Sequence, residues 1–178
     1  MTVTKPPFST WMASIAKVLG IALLLINAVY WFHSALVEQA AEGYSGLSAS
    51  LFTLTTGNRL MGWFISSLQL SVLTFALFTV ANIFQDFGKR KWFAERFSRR
   101  LKWFGIALLL YSALSPIVQM LISMSLTYGN PAGQRMLSVS VSLDFKGVII
   151  LFVGILLIMM AKVMTEATRI SDENHQII

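Results

Sequence analysis

Between Phe87 and Phe104 the chain carries Lys89, Arg90, Lys91, Arg96, Arg99, Arg100 and Lys102 against one acid, Glu95. Clustered ammonium and guanidinium groups bind anions: lipid phosphates, an acidic protein surface or, in principle, nucleic-acid phosphates. Rings are interleaved with them at Trp92, Phe93, Phe97, Trp103 and Phe104. Phe93, Phe97, Leu101 and Phe104 recur at spacings of three and four and so share one helical face, with most of the charges on the others. A helix of that kind can lie in the headgroup layer, rings in the lipid and charges on anionic headgroups. The plainer reading is a positive-inside anchor of the topology, and a docking surface for a cytoplasmic protein is the sharper alternative. Direct nucleic-acid binding is not expected, because the membrane claims the aromatics. Lys89, Arg90, Lys91, Trp92, Phe93, Arg96, Phe97, Arg99 and Arg100, with Glu173 of the tail, are therefore the candidate partner- and lipid-binding residues.

Catalytic chemistry finds no residues to work with. The chain has no cysteine, hence no disulfide and no thiolate metal site. It holds neither an HExxH nor a GxSxG pattern, and its two histidines, His33 and His175, fall at opposite ends of the layout. No enzyme activity, metal or cofactor is expected. No ionisable side chain lies in the middle of any apolar stretch, which weighs against a proton relay. The polar residues that do lie there are Asn27, Ser66, Ser67, Gln69, Ser71, Asn82, Ser112, Ser115, Gln119 and Ser123. Interhelical hydrogen bonds, with Gln69 and Gln119 near packing faces, are their expected use; lining a small cavity is the alternative. Pro116 should remove one hydrogen bond and kink its helix near Ser112.

The elements that must position these residues are four apolar stretches. Hydrophobic residues make up 56% of the 178 and charged residues 12%, with a mean hydropathy of +0.68. A soluble domain is about a quarter charged, and four helices apolar all round would leave a soluble fold too little polar surface. A helix rising ~1.5 Å per residue crosses a ~30 Å hydrocarbon layer in about twenty residues. The expected fold is all-α: one integral membrane domain over 1–178, a four-transmembrane-helix bundle with spans near 13–35, 60–84, 103–126 and 143–164, a cytoplasmic loop at 85–102 and a tail at 165–178. The first span reads as a retained helix rather than a cleaved signal. Tyr30, Trp31 and His33 are expected at its interfacial end.

Basic residues set the orientation. Loop 85–102, the N-terminal side (Lys5, Lys17) and the C-terminal side (Lys162, Arg169) hold eleven of the 14 Lys and Arg; the other side holds Arg59, Arg135 and Lys146. Lys- and Arg-rich short loops stay cytoplasmic, so both termini are expected inside. Outside, Glu38 and Glu42 suggest that span one continues as a helix, loosened by Gly43 and Gly46. Leu137, Val139, Val141 and Leu143 alternate with serines, which suggests a short extracytoplasmic β segment, with Leu51–Thr56 as its conceivable partner. In the tail, Glu166, Asp172 and Glu173 could face Arg99 or Arg100.

Two stretches carry a resemblance. One is Gly88-Lys89-Arg90-Lys91-Trp92-Phe93 followed by Arg100-Leu101-Lys102-Trp103-Phe104-Gly105. The other is Ala161-Lys162-Val163-Met164, then Ala167, Ile170, Glu173, Asn174 and Gln176-Ile177-Ile178. Together they resemble DUF2975, a family of small bacterial four-span membrane proteins, with Met164 where that pattern has phenylalanine. The resemblance implies a multi-pass protein of the bacterial cytoplasmic membrane. Some members are similar to partners of small helix-turn-helix regulators encoded beside them, so the resemblance also implies a cytoplasmic partner of that kind for the basic loop and tail. The resulting expectation is a non-enzymatic protein that senses or tethers, engaging anionic lipid headgroups and a cytoplasmic regulatory protein through its basic loop and tail. A homo-oligomeric transporter or channel subunit is the alternative.

Overall fold

Leucine, isoleucine, valine and alanine dominate the long helical segments, and only one of these holds an interior proline. The computed structural model describes residues 8–52, 54–88, 95–128, 130 and 145–175. The helices are α1 (Phe8–Phe32), α2 (Val37–Ser45), α3 (Thr56–Gly88), α4 (Glu95–Thr127, containing Pro116) and α5 (Phe145–His175), with a 3-10 turn at Ala49–Leu51. Four of them, α1, α3, α4 and α5, are long and apolar enough to cross a membrane.

Side-chain placement inverts that of a soluble protein. The buried face of α1 is Ala13, Ala16, Gly20, Asn27 and Trp31, at helical spacings. On α3 it is Gly62, Ser66, Gln69, Leu70, Thr74, Ala76, Thr79 and Ala81. Large apolar side chains such as Leu25, Phe64, Leu68, Ile117 and Phe152 point outward. Lipid tails are as apolar as leucine, so helices in a bilayer gain from close backbone approach and interhelical hydrogen bonds instead. Small and polar residues inside with bulky ones outside is the pattern this predicts.

The long helices form an open row rather than a closed ring. α1 packs on α3, α3 on α4 and α4 on α5, while α1 makes no comparable contact with α4 or α5 among the described residues. The contact face of α5 is correspondingly narrow, with Gly154 and Ala161 as its buried positions. A stripe of that width can seat on one neighbour only. The α4–α5 seam pairs small residues seven apart on each helix. Ser112 Oγ donates to Gly147 O at 3.3 Å, and a Cβ placed on Gly105 would lie 2.7 Å from Gly154 O. At the far end of the seam, Ser98 and Ala161 line one groove. A seven-residue period keeps two helices in register through a shallow crossing.

Helix boundaries depart from expectation in three places. α1 stops at Phe32, and a turn at 33–36 starts α2 as a separate helix instead of a continuation. Gly43 stays inside α2, and Gly46 ends it with φ 67°, its N–H reaching Glu42 O at 2.9 Å. α2 then folds onto the span ends, burying Val37, Ala40, Ala41 and Ser45 against α1, α3 and α4. The described residues of 85–102 are helical: α3 runs to Gly88 and α4 begins at Glu95. No strand occurs among the described residues. The expected β segment at 136–143 lies outside them, and its suggested partner holds a 3-10 turn at Leu51 and a helix start at Thr56.

Candidate functional site

One end of the row gathers the basic residues. A Cβ on Gly88 would meet Ser9 Oγ, so the start of α1 lies beside the end of α3. Arg100 Nη1 donates to Asp86 Oδ2 at 2.5 Å and to Asn82 O at 2.9 Å, joining the start of α4 to that same end. The second bond ties the α4 side chain to the α3 backbone near the end of that helix. Phe97 meets Phe87 edge-on, with centroids 5.4 Å apart. Phe97 and Leu101 are buried. Two residues of the apolar face that could have lain in the headgroup layer therefore pack inside the protein, because they belong to the first turns of α4.

Arg96, Arg99 and Lys102 are exposed. Between the first turns of α4 and the middle of α5 opens a groove of about 770 Å³, lined by Arg99, Lys102 and Lys162 among others. The groove brings loop-side and tail-side residues together. Among the described residues, however, neither Glu166 nor Glu173 forms an ion pair with Arg99 or Arg100. Arg169 takes Glu166 through Nη2 at 2.5 Å and Glu173 through Nη1 at 3.0 Å, one turn away on its own helix. Arg100 is committed to Asp86. Lys89, Arg90, Lys91, Trp92 and Phe93 lie outside the described residues, as does the side chain of Asp172.

At the opposite end a buried polar cluster locks α2 to the spans. Ser66 Oγ is its hub, accepting from Trp31 Nε1 at 3.1 Å and Asn27 Nδ2 at 3.0 Å. Asn27 Nδ2 also reaches Ser67 Oγ at 3.1 Å, and Tyr44 donates to Asn27 Oδ1 at 3.3 Å. Trp31 stacks with Tyr44 at 6.2 Å between centroids and is fully buried over Gly62. This corrects the expectation of an interfacial ring beside Tyr30. The Trp31 indole N–H has a hydroxyl partner inside and so does not need the headgroups. Burial and the nearby Tyr111 hydroxyl push the Tyr44 phenol up to about 12.

The remaining intramembrane candidates divide by geometry. Gln69 Nε2 donates to Tyr111 O at 3.4 Å, linking α3 to α4, and Gln119 Nε2 donates to Ser45 O at 3.5 Å, linking α4 to α2. Asn82 contributes its carbonyl to Arg100, and Ser112 bridges to α5. Pro116 sits within an uninterrupted α4. Ser115, expected inside, is exposed, as is Ser71, whose hydroxyl bonds back to Leu68 O at 2.7 Å. Both lie on lipid-facing arcs that a list of polar residues cannot separate from packing arcs.

Sequence reasoning missed Lys162 as a groove residue and Trp31 and Tyr44 as parts of a network. The seven-residue recurrence of Ser98, Gly105 and Ser112 opposite Gly147, Gly154 and Ala161 would have paired α4 with α5 and so placed Lys162 beside Arg99. No group of three His, Cys, Asp or Glu able to hold a metal occurs among the described residues. The chemistry on offer is recognition of anions by cations at one end.

Four apolar helices in a row, small and polar inside, with most of their charge gathered at one end, define a multi-pass helical membrane protein. The chain belongs to the DUF2975 family, described as protein of unknown function, whose model matches residues 49–178. No curated protein and no solved structure matches it.

Proposed function

We propose that this is a non-enzymatic protein of the bacterial cytoplasmic membrane that senses or tethers. Its termini and basic loop lie inside, and its cytoplasmic end engages a regulatory protein. One observation carries the reading: Arg99 and Lys102 of α4 share a groove with Lys162 and Glu166 of α5. The basic segment and the tail thus form a composite surface, as a single docking partner would require. The excess of Lys and Arg at this end supports its placement in the cytoplasm. The partner named in this reading, a small helix-turn-helix regulator, is what the resemblance of the basic and tail stretches implies.

The test is a pull-down from detergent extract of the intact chain and of a variant carrying Arg96→Glu and Arg99→Glu. Loss of one specific interactor from the variant supports the reading. Equal recovery of every interactor sinks it. A reporter fused after Gly88 tests sidedness independently, since an externally exposed reporter would place the basic end outside.

A further inference from the structure

We propose that the groove between α4 and α5 binds one anionic phospholipid, its phosphodiester held by Arg99, Lys102 and Lys162. This goes beyond the proposed function and rests only on the membrane reading of the four helices, so the two can fail separately.

The charge arrangement carries the argument. Three cations from two helices face one groove of about 770 Å³. None of the three has a side-chain hydrogen bond or ion pair among the described residues, whereas Arg100 and Arg169 are both paired. Two acids share the lining, Glu95 and Glu166. Arg169 binds both oxygens of Glu166, at 2.5 and 3.3 Å, and so offsets its charge. Glu95 alone remains against three free cations. The groove wall therefore carries an excess of positive charge, which a phosphate diester would offset.

The depth is right for a lipid. Lys162 lies within the apolar stretch Gly147–Ile170, and its ammonium must snorkel toward the headgroups. Lys102 adjoins Trp103, a half-exposed ring of the type that sits at the interface. The other lining residues include Ile158, Ala161 and Val163, apolar groups that an acyl chain can follow below a headgroup. A free phosphate would use the cations and leave that wall unused. A zwitterionic lipid would bring its own cation into a site already rich in them, so the groove should favour phosphatidylglycerol over phosphatidylcholine.

Native mass spectrometry of the full chain released from detergent, titrated with dioleoylphosphatidylglycerol or dioleoylphosphatidylcholine, tests this. One phosphatidylglycerol should be retained per chain in preference to phosphatidylcholine. Lys162→Gln should weaken its retention about fivefold, the equivalent of about 1 kcal/mol for one basic residue at a membrane surface. Lys162→Arg should restore it, which separates charge from misfolding. Lys17→Gln removes the same charge from an exposed position on α1 and should leave retention unchanged. Millimolar inorganic phosphate should not displace the lipid. Equal losses in Lys162→Gln and Lys17→Gln, no preference between the two lipids, or displacement by phosphate alone would each overturn the proposal.

Discussion

Arg100 reaches back from the second turn of α4 to Asp86, fourteen residues earlier, and on the way donates to Asn82 O. Both side chains are largely withdrawn from solvent, 27% and 14% exposed. Removing one partner leaves the other's charge partly buried and unpaired, which costs more than the pair itself contributes. Asp86→Asn and Arg100→Gln should each destabilise the protein in detergent by about 1–3 kcal/mol. The double variant should be milder than the sum of the two. Additive losses in a thermal-denaturation cycle would show that the pair is not coupled.

Ser66 is a small residue with large leverage. Ser66→Ala strands the Trp31 indole N–H and one amide hydrogen of Asn27 in a buried site. The expected loss is about 1–3 kcal/mol, read as a lowered melting temperature. Ser71→Ala, at an exposed hydroxyl that bonds only its own helix, should change the melting temperature little.

Tyr44 makes the protein sensitive to strong base. Its folded pKa is raised to about 12, chiefly by burial. Below pH 10 the phenol is neutral in both folded and unfolded chains, and stability does not depend on it. As pH rises from about 10 towards 12, the unfolded chain ionises first, so stability is lost with rising pH. The loss should reach about 2–3 kcal/mol by pH 12. Melting curves of the native chain and of Tyr44→Phe, compared across that window, isolate this contribution from the lysines. Parallel curves would exclude it.

The α4–α5 seam depends on two glycines. Gly154→Val places carbon where Gly105 O and the Leu109 side chain already sit, at 3.0 Å from each. Overpacking of this kind costs about 1–3 kcal/mol, and because α5 has no second broad contact it should loosen that helix selectively. A cysteine pair introduced at Ser112 and Gly147 should crosslink in the parent background and lose efficiency in Gly154→Val. Gly43→Ala, where nothing lies within 4 Å, is the neutral comparison.

Much of the scaffold was legible because lipid imposes a simple rule on composition. Runs such as Leu23–Ile26 and Ala107–Leu110, embedded in longer uncharged stretches, find their solvent in hydrocarbon, and the span count followed from that. That the start of α1 and the end of α5 share one end of the row was also legible, since an even number of crossings returns to its starting side. Which polar residue faces a neighbour was not. Ser66 and Ser115 look alike in sequence, yet one is a hub and the other is exposed. The fate of Phe97 was hidden for a similar reason: an amphipathic stretch has the same periodicity whether its apolar face meets lipid or Phe87. α2 was the hardest element, because its burial depends on contacts with α4, far along the chain.

The open row has a consequence for biogenesis. Each crossing helix rests mainly on the one made before it, α3 on α1, α4 on α3 and α5 on α4. A chain emerging from the ribosome could therefore dock its segments in the order of their synthesis, with no early crossing waiting for a late one to close a ring. Only the short α2 must wait for α4 to arrive before its buried face is covered.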